Sequence, residues 1–453
     1  FNTNYHYIVP EISEDTEFAL IGNKPLKEWK ILKTSLSLTT KPVVVGPFTY
    51  LYCAKIKNYG YFLEKIIPLY IKLLQELEEA QVEEVQIDEP ALVLEYEKDK
   101  LNDIINCYRK LSANLSNIKI YLQTYYESLS YYENIVYELP VHGIGLDFID
   151  GMENLENISN FGFPKDKILI AGVVSGRDPW KTDFKKTLNL IKNLSKFSDR
   201  IILSNSCPLM HLPITVKNES LPPEILKNLS FADERIEELS ILKNAIIEGK
   251  ELPKQDLSIK FFNPKIQEKV SQIDNNLPER KPDFKKRYKI QRETLNLPHF
   301  TTTTIGSFPQ TPELRKIRAE YKSGKITDSE YEAFIQKEIE KAIKIQEEIG
   351  LDVLVHGEFE RSDMVEFFAE KLQGFVVTQN GWVQSYGSRC VRPPIIYGDV
   401  WRDKPLILKE TLFAQSLTNK IVKGILTGPV TILQWSYPRK DISKKEVAYQ
   451  IAL

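Results

Sequence analysis

The stretch that decides the fold is LDVLVHGEFER, residues 351–361. Its first half is mostly apolar and branched, a pattern that predicts a strand buried on both faces. The strand ends at Gly357, and a burst of charged residues follows. Barrels and open α/β sheets present polar groups in this way, at the carboxyl ends of their parallel strands. A solvated loop after a core strand is the alternative. Two other stretches, 304–309 (TIGSFP) and 426–431 (LTGPVT), end in the same manner and favour a functional edge.

The composition is that of a globular chain with two or three domains. The chain has 453 residues, of which 42% are hydrophobic and 27% charged. Its 60 basic and 62 acidic residues leave a net charge of -2, which argues against a nucleic-acid or anionic-membrane partner. No apolar run reaches the ~18 residues of a spanning helix, and the first residues show no signal-peptide pattern. The four cysteines have no framework spacing, so we expect a cytoplasmic protein.

The first half of the chain predicts an α/β barrel. Short strands rich in branched residues recur with amphipathic helical segments between them, which is typical of repeated βαβ units. The predicted strands lie at 5–11, 43–47, 85–90, 118–124, 144–148, 168–174 and 201–206. Because a closed (β/α)8 barrel needs eight strands, we predict an N-terminal barrel over 1–252 that lacks its first strand.

The second half predicts a connector and part of another barrel. Residues 253–299 are charged and spotted with proline, and we expect a connector with exposed helices. The strand pattern restarts at 300 and continues to 453. A capping box at 327–330 predicts the start of a long helix, and Asn380-Gly381 predicts the turn of a β-hairpin.

An internal repeat supports two related barrels. Residues 44–51 (VVGPFTYL) align with 426–433 (LTGPVTIL), and in the first copy QIDEP follows about 40 residues after the Gly-Pro pair. The chain stops before that point in the second copy. We therefore expect three visible strands in the second barrel, and a sequence truncated at both ends.

Several motifs resemble those of the cobalamin-independent methionine synthases. In the second half they are TTTTIGSFPQT (301–311), VHGEFER (355–361), NGWVQSYGSRC (380–390) and LTGPVT (426–431); in the first half they are NYHY (4–7), QIDEPAL (86–92) and the stretch 172–180. The resemblance implies two face-to-face (β/α)8 TIM-type barrels related by duplication, with the chemistry in the second. It also implies methyl transfer from 5-methyltetrahydropteroyltri-L-glutamate to L-homocysteine, giving L-methionine in the last step of its biosynthesis, with zinc and without cobalamin.

The resemblance also implies roles for seven residues. Homocysteine, or the product methionine, would be bound by Ile305, Gly306, Ser307 and Glu358. The first three would hold its carboxylate through backbone N–H and hydroxyl donors, and Glu358 would pair with its ammonium. The methyl-folate would be bound by Arg389, Cys390 and Trp435. The alternative for each is structural: a helix cap for Ser307, a small buried side chain for Cys390, and plain core for Trp435.

The family's zinc ligands, a His, two Cys and a Glu, and its general-acid His have no counterpart at matching positions up to Leu453. We therefore expect no metal site in this chain and an inactive fragment, with the one zinc ion of the full-length enzyme held by residues beyond Leu453. Cys207 and His211 have a C-x3-H spacing that zinc could use, but no second cysteine lies near them. Asp88 and Glu89 form an adjacent carboxylate pair, for which a relic of duplication is the favoured interpretation.

Two other function classes stay open. A barrel glycosidase could use Glu89 and Glu358 as its carboxylate pair, but these lie in separate predicted barrels and would have to share one cleft. A binding or scaffold module without catalysis is the second alternative. The small-molecule partners expected are homocysteine and a 5-methyltetrahydropteroyl polyglutamate, with no nucleic acid or membrane, in a chain expected to be a monomer.

Overall fold

The computed structural model describes residues 8–258, 261–275 and 280–453. By its internal contacts the chain divides into two compact units. The first unit is Phe1–Leu257 with Asn380–Val391, and the second is Ser258–Gln379 with Arg392–Leu453. The predicted division at 252 and 300 is a different one, because residues from 258 onwards cluster with the second unit and 380–391 with the first.

The strands up to residue 205 are β1 (Val43–Val45), β2 (Glu84–Asp88), β3 (Lys119–Gln123), β4 (Gly143–Asp147), β5 (Ile168–Val174) and β6 (Ile201–Asn205). The later strands are β7 (Val353–Leu354), β8 (Gln373–Val376), β9 (Val383–Tyr386), β10 (Arg389–Val391), β11 (Ile395–Trp401) and β12 (Ile421–Val422), of which β9 and β10 belong to the first unit.

The helices up to residue 247 are α1 (Lys24–Leu36), α2 (Pro47–Tyr52), α3 (Tyr59–Glu79), α4 (Lys98–Ala113), α5 (Tyr132–Glu138), α6 (Glu153–Phe161), α7 (Phe184–Leu194), α8 (Pro223–Leu226) and α9 (Ala232–Ile247). Those that follow are α10 (Pro264–Asn275), α11 (Phe284–Leu295), α12 (Pro312–Lys322), α13 (Asp328–Ile349), α14 (Glu366–Ala369), α15 (Leu408–Ser416), α16 (Pro429–Gln434) and α17 (Lys444–Ala452). Short 3-10 turns lie at Pro90–Val93, Leu209–His211 and Val216–Asn218. No helix in the described ranges is long and apolar enough to cross a membrane.

The first unit is built on a parallel sheet whose six strands follow chain order, β1 to β6. The inner strands are apolar because helices cover them, and β4 is buried along its whole length. In the edge strand β1, Val43 and Val45 are exposed. An α/β fold with a parallel sheet was predicted, and it is confirmed. Six of the seven predicted strands are present at their predicted places. Of the seventh, predicted at 5–11, residues 5–7 lie outside the described residues; residues 8–10 form no strand, and Glu11 forms a single bridge with Lys55.

The second unit contains three short parallel segments. Thr303 bridges to Val353 of β7, and β7 pairs with β12. They coincide with the three strands predicted for this half, but they are much shorter than predicted. Part of the missing ladder is replaced by a side chain, since the Gln346 amide of α13 accepts a bond from the Val355 N–H (2.9 Å) and donates one to the Val355 carbonyl (2.8 Å).

The helix predicted from the capping box is confirmed as α13. Thr327 is its N-cap, and the side chains of Thr327 and Glu330 satisfy one another's backbone N–H groups. The helix ends at Gly350, whose φ of 88° is the left-handed conformation that favours glycine. Its apolar face buries Ile335, Ile339 and Ile343 in a core shared with Leu354 of β7.

The prediction of a hairpin turn at Asn380-Gly381 is wrong. The hairpin is β9–β10, and its turn is at 387–388. Asn380 is instead held by tertiary bonds: its backbone N–H donates to Glu219 (2.8 Å) and its side-chain amide donates to the Asn218 carbonyl (2.7 Å). These contacts belong to the first unit, and they explain why a strong local turn signal was overridden.

The predicted connector is only partly exposed. α11 buries none of its side chains, as expected for a solvated helix. α10 buries Ile266 and Val270. The segment before it is anchored too, because the ring of Phe261 stacks on Trp401 with centroids 5.4 Å apart. The charged residues around this segment concealed its apolar face in the sequence.

Candidate functional site

The residues predicted to bind homocysteine come together at the ends of the short parallel segments of the second unit. The Ser307 hydroxyl donates a hydrogen bond to Oε2 of Glu358. Gly306 lies against the same side chain: a Cβ at this position would be 3.0 Å from Glu358 Oε1 and 2.4 Å from Cδ1 of Ile425. Only glycine lets the 305–307 segment approach the carboxylate this closely.

Glu358 is a buried carboxylate on a strained turn. The residue is 3% exposed, and its φ of 58° follows a φ of 92° at Gly357. A non-glycine residue in the left-handed region costs of order 1–3 kcal/mol and persists only where the surroundings enforce it. A buried carboxylate also requires a cation. Here the cation is Arg361, whose guanidinium donates to Oε2 of Glu358.

A second buried pair, His356 and Glu360, flanks this turn in the sequence. Nε2 of His356 lies 3.0 Å from Oε1 of Glu360, so the pair spans Gly357 and the strained residue Glu358. Within the described parts of the chain, Nδ1 of His356 and Oε2 of Glu360 are buried without a hydrogen-bond partner. Neither residue was predicted to belong to the site. The only sequence signal was their position within the charged stretch that starts at His356.

The 305–307 segment is open to solvent on its other side. Ile305 is 95% exposed, and Ser307 is exposed as well. Among the described residues, no acceptor pairs with the backbone N–H groups of Gly306 and Ser307. We call this segment the N–H cradle. Free N–H groups beside a buried carboxylate can hold a small molecule that carries both an anionic and a cationic group.

The predicted folate residues lie in two different units. Arg389 and Cys390 are exposed on β10, in the hairpin that clusters with the first unit. Trp435 ends α16 in the second unit, where it is half-buried and packs against the core that contains Ile432 and Leu433. The roles of these three residues remain predictions.

The Asp88-Glu89 pair of the first unit is structural. Glu89 is 0% exposed, and it accepts bonds from the backbone N–H groups of Phe48 (3.1 Å) and Thr49 (2.7 Å) and from the Tyr108 hydroxyl (2.9 Å). It therefore caps the start of α2. Burial raises the pKa of Glu89 to about 7, although these hydrogen bonds act in the opposite direction.

Asp88 faces the neighbouring strand end. Its Oδ1 accepts from the Gln86 amide (2.9 Å) and from the Tyr125 hydroxyl (3.1 Å), as expected for a carboxylate hydrogen-bonded at a strand end. Burial raises its pKa to about 6. Asp147, at the end of β4, is more isolated, since its Oδ2 is buried without a partner. Burial and the nearby Asp150 raise the pKa of Asp147 to about 7.

Cys207 and His211 do not form a metal site. Nε2 of His211 lies 3.0 Å from the Tyr126 hydroxyl, and Cys207 packs in a small cluster with Tyr125 and Tyr126. Burial raises the pKa of the Cys207 thiol well above its usual range, which disfavours the thiolate that zinc requires. Over the described ranges, no group of three or more His, Cys, Asp and Glu side chains could hold a metal ion. The described residues therefore do not fit the zinc that the resemblance implies.

Two family models match this chain. Residues 1–199 match the model described as the N-terminal domain of the cobalamin-independent synthase, and residues 300–453 match its catalytic domain. Three similar proteins carry the name 5-methyltetrahydropteroyltriglutamate–homocysteine methyltransferase. Those from Thermodesulfovibrio yellowstonii, Thermotoga sp. strain RQ2 and Bacillus subtilis strain 168 are 61%, 50% and 44% identical over 459, 465 and 476 residues.

These alignments cover 100% of this chain and 61% to 62% of the three relatives. The chain therefore spans about three fifths of the length of these three relatives. The motifs around the N–H cradle and Glu358 fall inside the catalytic-domain match. On these matches, the chain belongs to the cobalamin-independent methionine synthase family.

Proposed function

We propose that this chain carries the homocysteine-binding part of a methyltransferase that makes L-methionine from L-homocysteine and 5-methyltetrahydropteroyltri-L-glutamate. The observation that carries the proposal is the meeting of Gly306, Ser307 and Glu358 at one strand end, with a buried anion beside free backbone donors. This arrangement complements the charges of an α-amino acid: the Glu358 carboxylate can pair with its ammonium, and the backbone donors can bind its carboxylate.

In this proposal Glu358 holds the α-ammonium of homocysteine. Because the carboxylate is almost fully buried, the pair would be little screened by water, and a charge-assisted contact of this kind contributes ~1.5–3 kcal/mol. The N–H groups of the cradle and the Ser307 hydroxyl hold the α-carboxylate. The amino acid is then fixed by its main-chain groups, which leaves its thiol free to react.

Arg389, Cys390 and Trp435 are proposed to bind the methyl-folate. The support for these roles is the resemblance: an exposed guanidinium such as that of Arg389 suits the polar groups of a folate, and an indole such as that of Trp435 suits an aromatic ring. In the overall reaction the N5–CH3 bond breaks and an S–CH3 bond forms, while the thiol proton ends on N5. A tertiary amine is a poor leaving group, so protonation of N5 by a general acid is required.

Zinc dependence remains a prediction from the resemblance. When bound, zinc would hold the homocysteine sulfur as a thiolate at neutral pH. The described residues offer no site for it, so the steps assigned to this chain are binding and orientation alone. The inactivity of the chain by itself likewise remains a prediction, and so do its cytoplasmic location and monomeric state.

Two (β/α)8 barrels are the proposed architecture. The six parallel strands of the first unit follow chain order, as six consecutive barrel strands would. Thr303, β7 and β12 repeat that parallel pattern on a smaller scale in the second unit. The support therefore comes from strand order and direction.

The glycosidase alternative is disfavoured by Glu89. This side chain is buried beneath α2 and has donors on both of its oxygens, so it cannot reach a glycosidic bond. A binding module without catalysis remains the second candidate, because the amino-acid site described above would serve it equally well.

Calorimetric titration of four compounds into the chain tests the proposal. L-homocysteine and L-methionine should bind at one site per chain, and the methyl-folate triglutamate at a second, independent site. L-leucine, which has the same main-chain groups but no sulfur, is the control for side-chain preference. If neither sulfur amino acid binds, the proposed function of this chain is wrong. Binding of the amino acids without any folate binding would favour the second candidate.

A further inference from the structure

We propose that Arg361 makes the Glu358 site selective for zwitterionic amino acids by exchanging partners, an inference that rests on the proposed function. In the free site its guanidinium neutralises Glu358. When an amino acid binds, the ammonium takes over Glu358 and the guanidinium moves to the α-carboxylate.

The geometry places Arg361 between the two groups that the amino acid would use. Its Nη2 donates to Oε2 of Glu358 and also lies 3.2 Å from Oγ of Ser307, which belongs to the N–H cradle. The three side chains form a triangle, so a small rotation of the guanidinium carries it from the carboxylate to the cradle. Both charged side chains are largely shielded, with 14% of Arg361 and 3% of Glu358 exposed.

The backbone of Arg361 is fixed while its side chain can turn. The Arg318 guanidinium of α12 donates to the carbonyl of Arg361 (3.1 Å) and to that of Phe359 (2.8 Å). An exchange of partners therefore needs only side-chain rotation, and the turn that carries Glu358 stays in place.

Charge balance makes the exchange selective. The free site holds one anion, Glu358, and one cation, Arg361. A zwitterion adds one charge of each sign, and each of the four charges then has a partner of opposite sign. An amine without a carboxylate would leave two cations competing for Glu358, and an acid without an amine would leave two anions competing for Arg361. In a poorly hydrated site, an unpaired charge is costly.

A ligand-free experiment tests the first half of the exchange. Thermal unfolding is measured for the wild-type chain, Arg361→Met, Glu358→Gln and the double variant. Arg361→Met leaves a buried carboxylate without its cation and should lower the melting temperature of the second unit by about 4–8 °C. Adding Glu358→Gln should restore more than half of that loss. The control is Arg315→Met, the same change at an exposed position of α12, which should shift melting by less than about 1 °C.

Titration tests the second half, with methionine, decarboxylated methionine and deaminated methionine as probes. The wild-type chain should bind methionine at least 10-fold more tightly than either analogue. Arg361→Met should weaken methionine and the deaminated acid by about 10- to 100-fold, while the amine gains affinity because its competitor for Glu358 is gone. A merely structural role of Arg361 would weaken all three probes together, and that result would overturn the proposal.

The two halves separate this inference from the proposed function. If methionine binds but the melting temperatures of the two single variants simply add, Arg361 is not the counter-ion and the exchange is wrong, while the amino-acid site stands. Suppose instead that Glu358→Gln restores the melting temperature lost in Arg361→Met, but no sulfur amino acid binds. In that case the proposed function is wrong, and the exchange of partners is wrong with it.

Discussion

Two buried carboxylates of this chain differ in how their charge is compensated. Glu358 is paired with Arg361 and Ser307, so its carboxylate has a cationic partner that a cationic ligand group could replace. Asp147 has no partner for its Oδ2 among the described residues, and its raised pKa of about 7 means that it keeps a proton at mildly acidic pH. One side chain is suited to binding, and the other is a pH-dependent weak point of the first unit.

The stability of the first unit should therefore fall as pH rises. The pKa of Asp147 is 3.8 for the ordinary group and about 7 in the folded chain. Its contribution is present in full below pH 3.8 and is lost as pH rises through 7, a change on the order of 4 kcal/mol at most. Asp147→Asn should remove this contribution, so that urea unfolding of the variant and of the wild type diverges between pH 5 and pH 8. Equal pH slopes for the two chains would contradict the assignment.

Sequence patterns predicted elements well where local chemistry decided them. The capping box at Thr327 fixed the start of α13, and the apolar run around Val353 fixed the position of β7. These patterns failed where long-range hydrogen bonds determined the local conformation. Asn380-Gly381 carries a strong turn signal, yet Glu219 and Asn218 hold Asn380 in another role. At the site, Glu358 was proposed from its motif, whereas the contact of Arg361 with Ser307 depends on a fold that brings together residues 54 positions apart. The His356–Glu360 pair is local, four residues apart, but its pattern carried no distinct signal.

The capping box should contribute measurably to the second unit. Thr327→Ala removes the side chain that accepts from the Glu330 N–H and should destabilise this unit by about 1 kcal/mol. Ser329→Ala, an exposed position in the same first turn, is the matched control and should change stability by less than about 0.5 kcal/mol. Chemical unfolding followed by circular dichroism measures both. A control that is as destabilised as Thr327→Ala would show that capping is not the cause.

At the scale of the whole chain, the boundary between the units was the hardest feature to predict. Residues 253–299 include charged side chains throughout, and this high charge density predicted a solvated connector. The fold uses two parts of it differently: α11 is exposed, while Phe261 and α10 are integrated into the second unit. The Asn263 N–H donates to Asp399 (2.7 Å), and Arg439 donates to the same carboxylate (2.8 Å). Contacts over more than 130 residues of sequence leave little trace in a local pattern.

Two phenylalanines of this region should therefore behave differently. Phe261→Ala removes a ring that contacts both Trp401 and Tyr397 and should destabilise the second unit by about 1–3 kcal/mol. Phe284 lies on α11 and is 68% exposed, so Phe284→Ala should have little effect. Thermal unfolding of both variants is the measurement. If both changes were equally mild, the Phe261 ring would be no part of the second unit's core.

The central claim is that Glu358 and the N–H cradle form an amino-acid site that is distinct from the folate residues. The most direct measurement is calorimetric titration of L-homocysteine and the methyl-folate triglutamate into Glu358→Gln and Arg389→Ala. Glu358→Gln keeps the shape but removes the charge, so homocysteine affinity should fall roughly 10- to 150-fold while folate affinity barely changes. Arg389→Ala should show the reverse pattern. If Glu358→Gln weakened folate binding and left homocysteine binding intact, the assignment of the two sites would be wrong.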